Sequence, residues 1–591
     1  MIGVVPALNA HAGVHDRGFT FVGAKGPGED LFVSFHELRL AAQQRAAHYL
    51  ACGLEPGDRV ALIVPEGERF IPAFLGALWA GLIPVPLYPP VSLGKLDAFM
   101  DALVSTLNVA KPRVLVTTDR VGKVLWSAIG RIPTIEKVLT AEELSREPAG
   151  ALPPAADVQD RDVAFLQFTS GSTALPKGVM VTHGSLAANC AAIVLEGLHA
   201  DLEKGNDVAV SWLPLYHDMG LIGFVIAPIC YGIPTVFIPT LSFIKNATLW
   251  METISKHRGT MSFAPNFAYA LVTKRARPEQ IARWDLSQMR VFGCGAEPIN
   301  PGTLRAFVDA MAPAGLKPEA MLPCYGMAEA TLAISFVPLD QPVRTDRIDP
   351  DRYHAHHEAR PVANGGPALE VVNCGRTFAG HEVCAQDGEG RILPDRRVGE
   401  LCFRGPSVSA GYWENPEATR AAFRDGWLHT GDLGYVADGE VYVSGRIKDI
   451  LIVNGRNYYP QGIEWVVDEI PGVRRGSSVV FTRPGKASEE VVVALESRAA
   501  DDAAVGLKEK VVARVGEEFQ LAVADVAVAP PGTLPKTSSG KLQRRKTREQ
   551  YLAGTIGRTG RGGSTRLAVA KYVALSFVGR ARHEVRKLFG G

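Results

Sequence analysis

The segment Phe168-Thr-Ser-Gly-Ser-Thr-Ala-Leu-Pro-Lys-Gly178 gathers a dense set of phosphate-seeking groups. Thr169 leads into Ser170, Ser172 and Thr173, which surround Gly171, and Pro176 stiffens the exit before Lys177. Hydroxyls, bare backbone N–H groups and one ammonium are the equipment for cradling a polyphosphate. The order G-x-x-x-x-G-K-[S/T] is absent, because here the hydroxyls precede the lysine, so this is not a P-loop. An ordinary Ser/Gly turn is the bland alternative, and the clustering of Ser, Thr, Gly, Pro and Lys weighs against it.

Other segments carry weaker signals one by one. Ser211-Trp-Leu-Pro-Leu-Tyr-His-Asp-Met-Gly220 brings His217 beside Asp218, a pairing that also serves as a plain structural hydrogen bond. Val291-Phe-Gly-Cys-Gly-Ala-Glu297 reads as a strand entering a glycine turn at Gly295, Ala296 and Glu297. Cys324-Tyr-Gly-Met-Ala-Glu-Ala-Thr331 sets Tyr325 before Gly326 and Met327, with the acid Glu329 following. In His429-Thr-Gly-Asp432 the aspartate is a good acceptor for paired hydroxyls, although an Asp in a turn is often only a turn former. Ser444-Gly-Arg-Ile-Lys448 adds Arg446 and Lys448, and Pro535-Lys-Thr-Ser-Ser-Gly-Lys-Leu-Gln-Arg-Arg545 adds Lys541 in what could otherwise be a solvated basic run.

The elements that must hold these groups follow from periodicity. Val163-Ala-Phe-Leu-Gln-Phe168 is a buried strand feeding the first loop. Asp58–Pro65, Arg113–Thr118, Val208–Leu213, Thr235–Ile238 and Met289–Phe292 continue a strand series that alternates with helical patterns such as Gly67–Trp79, predicting parallel α/β layers over about 30–330. Beyond about 370, Val398–Arg404 and Gly439–Ser444 read as antiparallel β, with Asp438-Gly439 as the turn. After Arg446 comes a compact α+β pattern: helices near Gly462–Glu469 and Ala504–Phe519, strands near Ser477–Phe481 and Glu490–Leu495. Pro338–Gly366 has little apolar periodicity and is expected to be an irregular insertion.

At 591 residues the chain exceeds what one core supports. With 47% apolar and 21% charged residues and a net charge of +1, it reads as a soluble globular protein with no charge bias toward nucleic acid. Eight cysteines without a C-x-x-C pair argue against a disulfide framework or zinc site and suit a reducing cytoplasm. Met1–Ala12 lacks the cationic start and apolar core of a signal peptide, and no apolar run reaches about 18 residues.

Together these motifs, in order over roughly 30–552, resemble the adenylate-forming superfamily of acyl-CoA synthetases, peptide-synthetase adenylation domains and luciferases. The resemblance implies an α/β fold: a large N-terminal domain of layered αβ subdomains plus a β-rich subdomain (1–446), a small mobile α+β C-terminal domain (447–553), and a basic tail (554–591). It implies ATP and Mg2+ as cofactors. Thr169, Ser170, Gly171, Ser172, Thr173 and Lys177 would grip phosphates, and Gly295, Ala296, Glu297, Tyr325, Gly326 and Met327 would enclose the base. Asp432 and Arg446 would hold the ribose. Catalysis would fall to Lys541, Glu329 and His217, with Thr173 and Glu329 at the metal and Lys448 as the hinge. A hard cation and cationic side chains are needed because a carboxylate must attack an already anionic α-phosphate.

Within the superfamily, Trp212–Gly223, Gly455-Arg-Asn-Tyr-Tyr-Pro-Gln461 and the insertion at 338–366 are most similar to the fatty acyl-AMP ligases. That branch implies a fatty acid substrate and an acyl carrier protein, through its phosphopantetheine arm, as acceptor. The insertion there restrains domain motion and disfavours coenzyme A. An acyl-CoA synthetase is the near alternative, and a non-catalytic acyl-nucleotide binder the distant one, opposed by Glu329 and Lys541. Ala174 stands where the superfamily usually has glycine, and Gly462 where an acid is common, which leaves the local acceptor contact open. The tail after Thr555 carries six Arg and two Lys against one Glu, net +7. A solvated or partner-docking helix is favoured there over membrane contact.

Overall fold

Short runs such as Val114–Thr117 and Val291–Cys294 are apolar and buried along their whole length, which suits interior strands of parallel sheets covered on both faces. The structure, a computed structural model, describes residues 2–26, 28–90, 96–169, 176–203, 205–362, 366, 368–453, 456–485, 489–537, 541–557, 575–576 and 579–580. Its largest sheet has nine strands. A parallel centre runs Gly18–Gly26, Thr235–Phe237, Ala209–Ser211, Met261–Ala264, Val291–Cys294 and Met321–Gly326. Antiparallel edges are added by Glu29–Ser34 on one side and by Ala333–Phe336 and Arg376–Thr377 on the other. A second, all-parallel sheet orders Ile83–Pro86, Arg59–Leu62, Val114–Thr117 and Lys137–Thr140.

Helix Gly67–Trp79 appears over the expected residues and buries nearly its whole length, so it is a core helix. It packs against Phe35–Leu50, whose start is fixed by a reciprocal Ser34/Glu37 capping box. Behind the nine-stranded sheet Trp212 stacks on Phe243 with ring centroids 3.7 Å apart, and both meet Trp250 edge to face.

The β-rich part turns on the expected Asp438-Gly439. Both residues have positive φ (55° and 76°), the type I′ geometry that joins Trp427–Ala437 to Glu440–Arg446. After Arg446, the hairpin Leu451–Val453/Arg456–Tyr458, helices Pro460–Asp468, Asp501–Phe519 and Arg544–Leu552, and a three-stranded sheet enclose a separate core that includes Ile463, Val493 and Val511.

The insertion departs from expectation. Segment 338–366 is not irregular throughout: Thr345–Ile348 pairs antiparallel with Leu369–Val372, and Pro350–His356 is a helix. Asp349 caps that helix by accepting from the N–H groups of Asp351 and Arg352, with Pro350 at the first helical position. The strand's partner lies about twenty residues on, too far for local periodicity to reveal.

Beyond residue 557, four residues of the tail are described. Ser576 Oγ accepts from Ser127 N–H at 3.2 Å, and the Arg580 guanidinium lies 5.8 Å from the Trp126 ring centre, so this piece sits on helix Asp119–Ile129. Among the described residues no helix is long and apolar enough to cross a membrane.

Candidate active site

A cleft of about 3560 Å³ runs along the C-terminal ends of the central strands and under the small C-terminal unit. Its phosphate-seeking end is a β-hairpin, Val163–Thr169 against Lys177–Thr182, in which Thr169 pairs with Lys177. Ser170, Gly171, Ser172 and Thr173 lie outside the described residues, between those strands. The Lys177 ammonium stands 4.6 Å above the centre of the Tyr412 ring. The Tyr412 hydroxyl in turn donates to Glu329 Oε1 at 2.7 Å.

Glu329 sits on the single 3-10 turn Ala328–Ala330. Thr331, which ends that turn, has φ 67°, a strained value for a β-branched residue. Its hydroxyl donates to Ser407 O at 2.7 Å, and the side chain is fully buried, so packing holds the strain. Burial pushes the Glu329 carboxyl above its usual range, against pulls from the Tyr412 hydroxyl and Arg446. Its hard carboxylate oxygens suit a small divalent cation such as magnesium.

The wall expected to enclose the base is built from backbone. Gly295 follows Val291–Cys294, and a Cβ there would lie 2.7 Å from Cys324 Sγ. A Cβ on Gly326 would fall 2.0 Å from Leu332 O, so that strand end admits only glycine. Ala296, Tyr325, Gly326 and Met327 line the cleft. The Tyr325 hydroxyl donates to Asp432 Oδ2 at 2.8 Å, while Asp432 Oδ1 is 3.3 Å from Arg446 Nε. Asp432 and Arg446 face each other across the register of the type I′ hairpin. Glu297 also lines the cleft, and its Oε1 accepts from Phe267 N–H at 2.9 Å at the start of helix Asn266–Arg275.

His217 is the cap residue of Asp218–Leu221, and its Nδ1 is 2.6 Å from Asp218 Oδ1. A π-helical stretch, Ile222–Ile226, follows and turns Phe224 toward the cleft. With Phe237, Leu241, Phe263 and Phe267 it forms an apolar branch of the cleft that His217 also lines.

Lys541 enters from the small unit. Thr537 locks its backbone, donating from N–H to Lys541 O at 2.7 Å and accepting from Lys541 N–H on Oγ1 at 3.1 Å. Burial lowers the lysine's affinity for its proton, opposed by the carboxylates of Glu297, Asp218 and Asp432. One ammonium from the small unit thus sits in the field of three acids from the large one. Lys448 lies exposed on the turn Ile447–Asp449.

Several site residues escape sequence reading. Tyr412 is one. Another is Glu400, whose Oε1 accepts from Gly431 N–H at 3.0 Å and so pins the turn carrying Asp432. His429 Nδ1 lies 2.9 Å from the other Glu400 oxygen, and Cys402 completes a group of possible metal donors. The Arg424 guanidinium stands 3.2 Å from the His429 ring, however, so that spot already has its cation.

The model of the AMP-binding enzyme family matches residues 12–413, and that of the Disco-interacting protein 2-like AMP domain matches 448–559. The chain is 38% identical over 528 residues to a putative acyl-CoA synthetase of Caulobacter vibrioides, covering 88% of this chain and 91% of the relative. It is 36% identical to the long-chain-fatty-acid–AMP ligase FadD26 of Mycobacterium marinum, covering 84% and 87%. A solved structure from work on fatty acyl-adenylate ligases of E. coli and L. pneumophila superposes with a TM-score of 0.87 at 34% identity, over 94% of this chain and 98% of that one.

Proposed function

The chain belongs to the AMP-binding enzyme family and is an acid-adenylating ligase, and from that premise we propose that its acid is a medium- or long-chain fatty acid and its acceptor the phosphopantetheine thiol of an acyl carrier protein. The observation that carries this reading is that Lys541 of the small unit lines the same cleft as Asp218, Glu297 and Asp432 of the large one and as an apolar set, Phe224, Phe237 and Phe263, able to take an alkyl chain.

In the first half-reaction a carboxylate oxygen of the acid bonds to the α-phosphorus of ATP, and the α–β anhydride bond breaks to release pyrophosphate. Lys541 would bridge the carboxylate and α-phosphate oxygens as a mobile point charge. His217, held by Asp218, would border the carboxylate. Tyr325 would lie along the adenine, and Asp432 with Arg446 would take the ribose. Thr169, Lys177 and the 170–173 loop would receive the departing pyrophosphate. Magnesium, which Glu329 and Thr173 would hold, supplies charge neutralisation on the triphosphate.

In the second half-reaction the small domain (447–553) would turn on the core (1–446) about Lys448, withdrawing Lys541. The acceptor sulfur then bonds to the acyl carbon, AMP leaves, and the thiol proton passes to solvent. The insertion supports a carrier acceptor, because its helix packs on Arg456–Tyr458, the second strand beyond the proposed hinge, and so would restrain the small domain. Coenzyme A is the second reading, favoured by the likeness to the Caulobacter protein.

The test offers ATP, magnesium and a panel of fatty acids, with coenzyme A or phosphopantetheinylated carrier protein added separately. Adenylate with carrier-dependent thioester is expected. Acyl-CoA forming as readily as adenylate overturns the acceptor assignment, and no pyrophosphate release with any fatty acid overturns the substrate class.

A further inference from the structure

Tyr412 belongs to no motif that singled it out, yet it touches both halves of the phosphate end. The segment 409–413 is zipped onto the hairpin strand Lys177–Thr182: Met180 N–H donates to Gly411 O at 2.9 Å, Ala410 N–H to Met180 O at 3.0 Å, and Trp413 N–H to Gly178 O at 2.7 Å. Ser409 N–H donates to Glu329 O at 2.9 Å, tying the same segment to the 3-10 turn. Tyr412 N–H donates to Thr419 Oγ1 at 3.0 Å, and the side chain is 6% exposed. Two backbones therefore hold this ring rigidly between Lys177 and Glu329.

From this we infer that Tyr412 is a positioning residue for nucleotide and metal: its hydroxyl orients the Glu329 carboxylate toward a divalent cation, and its ring face holds the Lys177 ammonium at the mouth of the phosphate loop. The inference rests on the roles proposed above for Glu329 and Lys177. Its physical content is pre-organisation. A lysine stem and a glutamate stem are long and rotamer-rich, so fixing both before ligand arrives removes an ordering cost from binding. A neutral phenol does this without adding a charge that would compete with the cation.

The test uses the full chain with α,β-methylene-ATP, which cannot be cleaved at the α–β position, and Mn2+ as the probe. Free Mn2+ is read by electron paramagnetic resonance, and metal-free nucleotide affinity by calorimetry. Tyr412→Phe keeps the ring and loses one hydrogen bond to a carboxylate. It should weaken Mn2+ binding about tenfold and leave metal-free nucleotide affinity unchanged within about twofold. In pyrophosphate exchange its KM for Mg2+ should rise by the same factor with kcat at saturating Mg2+ preserved, a split that general loosening of the fold does not produce. Tyr412→Leu should also weaken metal-free nucleotide binding about three- to tenfold. That loss should largely disappear when Lys177→Gln is already present, which ties it to the lysine and not to folding.

Glu329→Gln separates the two levels of argument. If it weakens Mn2+ binding while Tyr412→Phe stays parent-like, the positioning role of the hydroxyl is overturned and the metal reading stands. If Glu329→Gln leaves Mn2+ binding unchanged, the metal reading fails and takes the hydroxyl's role with it. A metal-free nucleotide affinity in Tyr412→Leu equal to the parent's overturns the role of the ring.

Discussion

Truncating Tyr459 tests whether the docked pose of the small domain decides the acceptor. Tyr458 and Tyr459 are neighbours in sequence but belong to different cores. Tyr458 packs in the small unit, whereas Tyr459, 6% exposed, is buried with Ile348, Tyr353, Tyr435 and Tyr442 of the insertion and β-rich part. Its ring centre is 5.1 Å from that of Tyr353, and His354 of the same insertion helix lies 5.6 Å from Tyr458 and 5.8 Å from Tyr459. The proposed rotation about Lys448 would draw the Tyr459 ring out of this cluster. An aromatic side chain buries about 150–250 Å², or about 4–6 kcal/mol at ~25 cal/mol per Å². If a rotated pose re-buries half of the ring, about 2–3 kcal/mol remains, equivalent to about 30- to 150-fold in the docked-to-rotated ratio.

Tyr459→Ala should therefore raise thioester formation with coenzyme A by about 30- to 150-fold. The measurement is single-turnover: labelled acyl-adenylate is formed on the enzyme, coenzyme A is added, and thioester is counted against time. Adenylate formation should change far less, since Lys541 still reaches the acids in the docked pose. A Tyr353/Tyr459 double-mutant cycle should return a coupling of about 0.5–1.5 kcal/mol. Coenzyme A transfer within threefold of the parent, in a variant that still folds and adenylates, would refute the idea that this anchor restrains the domain.

Other consequences are more local. Lys541→Ala should abolish pyrophosphate exchange while ATP binding by calorimetry persists. Burial lowers the Lys541 pKa and the reaction needs the ammonium, so exchange should decline as pH rises through a value below that of an ordinary lysine, and Lys541→Arg should flatten that alkaline limb. Asp468 is pushed up to about 6, by burial first, against donors Ser478 and Gly476. The folded form then holds a proton that the unfolded chain loses near pH 4, so stability should fall by about 3 kcal/mol from pH 4 to 6 and stay level above. Asp468→Asn should erase that difference in denaturant melts. Gly326→Ala puts a methyl 2.0 Å from Leu332 O and should cost about 1–3 kcal/mol, read as a lowered Tm.

What the amino-acid order reveals is governed by range. Gly67–Trp79 and the Asp438-Gly439 turn are legible because periodicity and φ preference act within a few residues. The insertion strand Thr345–Ile348 is not, since its partner lies beyond an intervening helix. The site divides the same way. Gly295 and Gly326 announce themselves as bare backbone at strand ends, and the close approaches at 2.7 and 2.0 Å give the reason. Glu297 lines the cleft as its motif suggests, but its bond to Phe267 N–H, thirty residues away, has no local pattern that announces it. Tyr412 meets Glu329 across 83 residues and Tyr325 meets Asp432 across 107, pairings with no local pattern to betray them.

Range also bears on where the proposed hinge bends. Arg446 stays with the large unit through Asp432, at 3.3 Å. Asp449, three residues on, is bound to Arg544 of the small unit at 2.8 Å, and Arg544 reaches Glu464 at 2.6 Å and Val480 O at 2.9 Å. With these partly buried charged contacts all on the small unit's side, Asp449 should travel with the small domain. Ile447 and Lys448 are left between two anchored neighbours, both exposed and on a single 3-10 turn. Backbone change concentrates where the fewest contacts must be broken, which supports Lys448 as the pivot. Tyr459 is then the exception that makes the motion conditional. It lies beyond the pivot but is buried with residues before it, so a rotation that is cheap at Lys448 stays costly until the ring is released. An acceptor that binds the insertion and this tyrosine would lower that cost.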